Sequence, residues 1–263
     1  MELTETSEEI IGENRAYWTG RAESYSEINR TELSGDSHEK WEEHLCDQIE
    51  SRFPDREPSE ISVLEVGCGP GFLSILLAEA GYRVSAIDLT AAMLEKAKEN
   101  SADAGVLDKI TFYEMNALDL EFEGESFDVV VSRNLTWDLP EPEGAYEEWT
   151  KVLKPGGLLL NFDANWYHYL FFDDALEGFE ADRINSQAQG ILDRNRGDNF
   201  DVMEDIARMV PLSKISRPKW DVDVLTGLGM NCTTDVDVWK KLWTKEDVVN
   251  FSSTPLFMVS AVK

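Results

Sequence analysis

Basic residues are scarce in this chain: 24 lysines and arginines stand against 52 aspartates and glutamates, a formal charge of −28 over 263 residues. A field of that sign repels phosphate backbones and anionic lipid, so neither nucleic acid nor a membrane surface is expected as a partner. Long apolar runs are missing too. No stretch reaches 18 apolar residues, so no membrane-spanning helix is expected. The opening MELTETSEEI is acidic and lacks an apolar core, unlike a secretory leader, which makes a cytoplasmic location the expectation. Cysteine and histidine number three each. Cys46, Cys68 and Cys232 lie too far apart for a disulfide framework or a close-spaced metal motif, and read as small buried apolar residues. His38, His44 and His168 share no metal-ligand spacing, so no metal is expected. The acidity is compatible with a small or cationic substrate without choosing one.

What is present is organised around residues 61–89, ISVLEVGCGPGFLSILLAEAGYRVSAIDL. Ile61, Val63, Leu64 and Val66 form a short apolar run of the kind a buried parallel strand shows. Gly67, Gly69 and Gly71 follow, then Phe72, Leu73, Leu76, Leu77 and Ala80 recur at helical spacing, closed by Gly81. A second apolar run ends at Asp88. The whole reads strand, glycine turn, helix, strand. Glycines let a ligand approach the backbone, and an acid ending the second strand can accept hydrogen bonds from two ribose hydroxyls. The spacing excludes two common alternatives. Phe72 stands where a dinucleotide-binding G-x-G-x-x-G needs its third glycine, and no G-x-x-x-x-G-K-[ST] phosphate loop is present.

The pattern Glu65-x-Gly67-Cys68-Gly69-x-Gly71, followed by Asp88, resembles the first two motifs of the class I S-adenosylmethionine (SAM) methyltransferases. Later stretches extend the resemblance: FDVVVSRN at residues 127–134 looks like the family's fourth motif, and LKPGG at 153–157 is a recurrent turn before the fifth strand. The likeness is good over residues 61–162 and looser outside them. It implies an α/β fold with a seven-stranded, mostly parallel sheet in the order 3-2-1-4-5-7-6, strand 7 antiparallel, flanked by helices. It implies SAM as cofactor, with the loop from Gly67 taking the methionine part and Asp88 the ribose; at Cys68 the backbone matters more than the thiol. Leu89 and Met93 are expected to line the adenosine site, Met93 reading equally as core. Where relatives carry an acid for the adenine amino group this chain has Asn116, whose side-chain oxygen still accepts, with the backbone of Ala117 and Leu118 sharing the recognition.

Taken in order, residues 1–58 are expected as an N-terminal helical segment, with helices over about 10–28 and 38–53. Tyr17-Trp18-x-x-Arg21-x-x-x-Tyr25 resembles the aromatic and arginine pattern that precedes the first motif in many small-molecule methyltransferases. The resemblance implies a lid in which Arg21 pairs with the methionine carboxylate and the aromatics cover the sulfonium. Packing against the main domain is the alternative reading. The main domain is expected over 59–263. Crevice-facing positions in open α/β sheets lie at the C-terminal ends of strands. That makes Asn134, Thr136 and Trp137 after strand 4, and Asp163, Asn165 and Trp166 after strand 5, candidates for acceptor binding. Arg133 reads either as a pocket residue on the cofactor side or as a salt-bridge partner. Tyr167 and His168 are the catalytic candidates, His168 as a general base because imidazole titrates near neutrality; the alternative for His168 is an ordinary helix-face hydrogen bond. Residues 166–216 exceed a simple crossover and resemble the helical insertion that roofs the acceptor pocket. A sixth strand is expected over 231–239 and a last one over 255–262.

The expected activity is transfer of a methyl group from SAM to a small-molecule acceptor by in-line displacement. A protein-directed methyltransferase and a SAM-binding protein without transferase activity are the alternatives. The acceptor, the methylated atom and the oligomeric state are not legible in the sequence.

Overall fold

The computed structural model describes residues 4–194 and 200–263. Two helices precede the sheet. α1 (Glu5–Ser34) is capped by Thr4, whose side chain accepts from the Ser7 N–H. α2 (Asp36–Arg52) buries Trp41, Leu45 and Ile49 at helical spacing. Strands and helices then alternate: β1 (Ser62–Val66), α3 (Phe72–Glu79), β2 (Arg83–Asp88), α4 (Ala91–Asp103), β3 (Ile110–Glu114), β4 (Phe127–Arg133), α5 (Pro142–Val152) and β5 (Leu153–Asp163). Pro142 begins α5, where its missing N–H costs nothing. Beyond β5 lie α6 (Asp173–Gln189), α7 (Phe200–Met209), α8 (Lys219–Gly227), β6 (Asn231–Asp235), the single turn α9 (Trp239–Leu242), α10 (Lys245–Phe251) and β7 (Phe257–Val262).

The strands form one seven-stranded sheet in the order β3-β2-β1-β4-β5-β7-β6. The first five pair in parallel, and β7 runs antiparallel between β5 and β6. The expected order and the antiparallel last strand are therefore both present. Alternation along the strands sorts side chains into two cores. Val63, Val129, Val131, Leu158, Leu160 and Phe162 join Trp41, Ile49 and the α3 leucines on one face. Leu64, Val66, Val130, Leu159 and Val259 join Tyr146, Trp149 and Leu225 on the other.

Two local expectations change. The sixth strand stops at Asp235, four residues early, because the Asp235 carboxylate accepts the Asp237 N–H at 3.0 Å and turns the chain; Val236 is left exposed and Val238 enters the core from a helical turn. The LKPGG stretch bends inside β5 rather than before it. Gly156 donates to the Lys263 carbonyl and Lys263 donates to that of Gly157, so the C-terminal residue pairs with the bend.

Among the described residues, no helix is long and apolar enough to cross a membrane.

Candidate cofactor and acceptor site

The crevice opens at the C-terminal ends of β1, β2 and β4, where α1 lies across it. The glycine loop makes the floor. Gly67 has φ +71°, and a Cβ there would stand 2.7 Å from Leu135 Cδ2, so the backbone approaches the β4 loop more closely than any other residue allows. A Cβ on Gly71 would meet the Ala97 Cβ at 3.2 Å, which makes this glycine the point where α3 packs on α4, away from the cavity. Asp88 ends β2 with both oxygens held: Oδ2 accepts from Gly69 N at 2.9 Å, and Oδ1 accepts from Thr90 N and Oγ1 at 2.9 and 3.0 Å. Burial raises its pKa while these hydrogen bonds oppose the rise.

A cavity of about 810 Å³, part of it open to solvent, stands above this floor. Trp18 and Tyr25 from α1 line it, as do Gly67, Gly69, Asp88, Leu89, Met93, Asn116, Ala117, Leu118, Arg133 and Asn134. Five expected cofactor residues are outside the lining. Tyr17 packs edge-on to Trp18 at 5.1 Å, and Arg21 projects a buried Nε that has no partner. Glu65 is buried and accepts from Ser74 Oγ; desolvation raises its pKa to about 8. The Cys68 thiol is buried and its pKa is pushed well up, chiefly by desolvation, while its N–H is spent on Ile87 O at 2.9 Å. Gly71 is the helix contact just described.

Two of the lining residues differ from their expected chemistry. The Asn116 Oδ1 takes the Leu118 N–H at 3.0 Å, and the Ala117 carbonyl takes the Trp149 indole N–H at 3.0 Å. These groups are engaged within the protein, a local Asx turn supplying the first bond. Arg133 combines its two readings: it lines the cavity, and it pairs with Glu32 at 2.5 Å while lying 4.6 Å over the Trp41 ring.

A second chamber of about 510 Å³ adjoins the first and shares Trp18, Tyr25 and Asn134 with it. Trp137, Trp166, Tyr167, Tyr169 and Phe200 complete its wall. Asn134 sits at the junction with φ +55°, an uncommon conformation for a side-chain-bearing residue, and its Oδ1 is buried without a partner. Trp137 and Tyr167 rings lie 4.8 Å apart.

The remaining acceptor and catalytic candidates stand behind this wall. Thr136 is buried and donates to Asn161 Oδ1 at 3.1 Å. Asp163 is a hub: Oδ2 accepts from Trp137 N at 3.0 Å and Arg217 Nη1 at 2.6 Å, and Oδ1 accepts from Ala164 N and the Trp166 indole at 2.9 and 3.1 Å. It positions two tryptophans of the chamber rather than lining it. Asn165 exchanges hydrogen bonds with the Arg217 backbone. His168 Nε2 lies 2.9 Å from the Ile215 carbonyl, outside both chambers, and burial lowers its pKa. The geometry does not bring His168 to the crevice, because β5 ends at Asp163 and the chain between them turns its imidazole toward residues 211–215.

Asp138 was not among the sequence candidates. Its Oδ2 accepts the Trp18 indole N–H at 2.8 Å, its carbonyl accepts from Asn14 Nδ2 at 2.9 Å, and its Oδ1 is buried without a partner in the cavity wall. Desolvation pushes its pKa up to about 7. Asn14, whose own Oδ1 is also unpartnered, was missed as well. Both had a signal: Asn14 stands four residues before Trp18 on α1, and Asp138 follows Trp137 in the loop after β4.

These loose ends fit SAM. The unpartnered oxygens of Asn14 and Asp138 suit an ammonium and a sulfonium, the unpartnered Arg21 Nε suits a carboxylate, and Asp88 suits a diol.

Residues 64–161 match the methyltransferase domain family. The chain is 36% identical over 104 residues to the ubiquinone biosynthesis O-methyltransferase of Xanthomonas axonopodis pv. citri, covering 39% of this chain and 43% of that protein. It is 30% identical over 131 residues to a ubiquinone/menaquinone biosynthesis C-methyltransferase of Rhodopseudomonas palustris, covering 49% and 51%. The chain thus spans about half the length, or less, of these curated relatives. Over 92% of this chain and 91% of the other, the structure superposes on a putative S-adenosyl-L-methionine-dependent methyltransferase from Methanococcus maripaludis, with TM-score 0.56 and 19% identity. Sheet order, glycine loop and family match agree: the chain has the class I, Rossmann-like SAM-dependent methyltransferase fold, and its residues 64–161 match the methyltransferase domain within it.

Proposed function

We propose that this protein transfers a methyl group from SAM to a small-molecule acceptor. One observation carries the reading: two chambers meet at Trp18, Tyr25 and Asn134, one walled by the glycine loop and Asp88, the other by aromatic rings. SAM would supply an electrophilic methyl group on a sulfonium. The residues of this chain would bind, orient and dehydrate. The loop at Gly67 and Gly69 gives the methionine part room, with Arg21 and Asn14 as its polar partners. The Asp88 carboxylate takes the ribose hydroxyls. Leu89, Met93, Met115 and Leu118 pack the adenine, and α1 closes the crevice as a lid over residues 1–58. The insertion over about 166–216 caps the acceptor chamber through Trp166, Tyr167, Tyr169 and Phe200. Holding two reactants in one dry enclosure removes most of the entropic barrier to a bimolecular displacement. The Asp163 hub fixes the acceptor wall, and the location of His168 makes an imidazole base no part of this reading.

The test is a parallel calorimetric titration with SAM, S-adenosylhomocysteine and NAD, followed by transfer of labelled methyl groups to a panel of small acceptors. Saturable binding of SAM and its product without NAD, and label in a small molecule, is the expected result. Label in protein substrates alone would favour the protein-directed alternative, and binding without transfer to any acceptor would favour the transferase-free one.

A further inference from the structure

The aromatic chamber presents ring faces and spends its indole donors and one phenol on the protein. The Trp18, Trp137 and Trp166 indoles donate to Asp138 Oδ2, Asn134 O and Asp163 Oδ1 at 2.8, 3.0 and 3.1 Å. The Tyr169 hydroxyl donates to Glu204 Oε1 at 2.8 Å. What remains for a ligand is seven aromatic rings (those of Trp18, Tyr25, Trp137, Trp166, Tyr167, Tyr169 and Phe200), two phenol hydroxyls that accept as readily as they donate, and the Asn134 amide with its unpartnered Oδ1.

Charge points the same way. The protein covers other rings with its own cations: Arg133 lies over Trp41 and Phe72, Arg183 over Phe179 and Arg217 over Phe257. Among the described residues, no lysine or arginine lies over a ring of the chamber. Glu204 brings negative charge to its wall through Tyr169, and Asp138 does so through Trp18 when it is ionised. Three arginines act on the chamber's tyrosines from behind the wall, Arg21 on Tyr25 and Tyr167, Arg133 on Tyr25 and Arg208 on Tyr169, and none of them belongs to the lining. An enclosure of aromatic faces with no lysine or arginine in its lining attracts a positive centre, because the ring quadrupole is negative on its face.

We propose that the acceptor is an aliphatic amine, seated with its nitrogen among these rings and methylated there to a more substituted ammonium. The proposal rests on the methyltransferase reading and specifies its substrate class. An oxygen, sulfur or carbon acceptor that attacks as an anion would be favoured by a cation beside it, and no lysine or arginine stands in this lining. An amine attacks as a neutral lone pair and gains positive charge as it does so, and the rings stabilise that charge as it develops. An acceptor that arrives protonated gives its proton to water before it is seated. Its lone pair then forms the N–C bond to the methyl group while the C–S bond breaks and that electron pair stays on sulfur. The products are a methylated ammonium and a neutral thioether.

The experiment uses the full chain saturated with S-adenosylhomocysteine, titrated by tryptophan fluorescence with choline and, separately, with 3,3-dimethylbutan-1-ol, its neutral carbon isostere. A preference for choline of about tenfold or more is expected, the range that desolvated cation–π contacts give. Trp166→Leu should remove that preference and Trp166→Phe should retain it, both with the S-adenosylhomocysteine affinity of the parent, since Trp166 lines only the second chamber. Equal binding of the two probes by the parent protein, or methyl transfer to phenols and thiols but not to tertiary amines, overturns the amine assignment and leaves the methyltransferase reading standing. Failure to bind S-adenosylhomocysteine overturns both.

Discussion

Replacing Asp88 with alanine tests the cofactor assignment most directly. The carboxylate has two tasks in the geometry: it ties Gly69 and Thr90 to the end of β2 through three hydrogen bonds of 2.9–3.0 Å, and it faces the cavity where a ribose diol is proposed to bind. A hydrogen bond to a charged group contributes about 1.5–3 kcal/mol. Two ribose hydroxyls therefore place the loss of affinity at about 3–6 kcal/mol, roughly 10²- to 10⁴-fold in Kd. Part of any loss would come from a slackened glycine loop, and Thr90→Val separates the two contributions. That variant removes one donor to Asp88 and the α4 cap, in which Thr90 Oγ1 accepts from Met93 N at 3.3 Å, yet keeps the carboxylate. It should cost about 1–2 kcal/mol of stability and less than about tenfold in affinity. Calorimetric titration with S-adenosylhomocysteine gives the affinities, and urea unfolding the stabilities. An Asp88→Ala protein that is folded and binds within about threefold of the parent would refute the ribose assignment; equal losses in the two variants would assign the effect to the loop.

Three further outcomes follow from the buried charges. Asp138 has its pKa raised to about 7 by desolvation, so the folded state holds a proton that the unfolded chain releases near pH ~4; stability falls as pH rises from about 4 to 7 and levels above it. Asp138→Asn should remove that slope, gaining on the parent by about 2–3 kcal/mol between about pH 5 and pH 8 in urea unfolding, and an unchanged difference would refute the assigned protonation. Arg217 is fully buried between Asp163 and Asp221, at 2.6 and 2.5 Å, so Arg217→Met strands two carboxylates and should cost about 3–5 kcal/mol in the same assay. His168→Gln should leave turnover on any identified acceptor within about threefold of the parent, because the imidazole is engaged with Ile215 and reaches neither chamber; a loss of a hundredfold would return it to the mechanism.

The parts of the fold that were legible are those written in local pattern. The run from Ile61 to Asp88 carries its own strand, turn, helix and strand, and each apolar position that signals an element is also a core contact. The sheet order came with the resemblance, since periodicity says nothing of which strand lies beside which. The strand boundary at Asp235 was lost because Cys232, Thr234, Val236 and Val238 keep an alternating pattern through it, and the turn depends on one carboxylate finding the N–H two residues on. The bend at LKPGG was read correctly as a bend, but its partner is the last residue of the chain, which no window around Pro155 contains.

The candidate site divides along the same line. Candidates carried to the crevice by their own position at or just after a strand end, such as Gly67, Asp88, Asn134 and Trp137, stand on the cavity walls. Asp163 and His168 do not, though both follow β5 as a crevice residue should. An acid at a strand end can serve either a ligand or an arginine from elsewhere, and the choice at Asp163 is made by Arg217, 54 residues along the chain. Asp138 is the converse: among the described residues it has no ion-pair partner, its neighbours being the Trp18 indole and the Asn14 amide, and its buried Oδ1 stands in the cavity wall. Which acids are structural and which are available is thus decided by long-range pairing, and in a chain with 52 acids against 24 bases that pairing is the scarce resource. A carboxyl that the fold buries without giving it an arginine or lysine takes up a proton, as the raised pKa of Asp138 shows, and a ligand that brings a cation to it would hold it ionised instead.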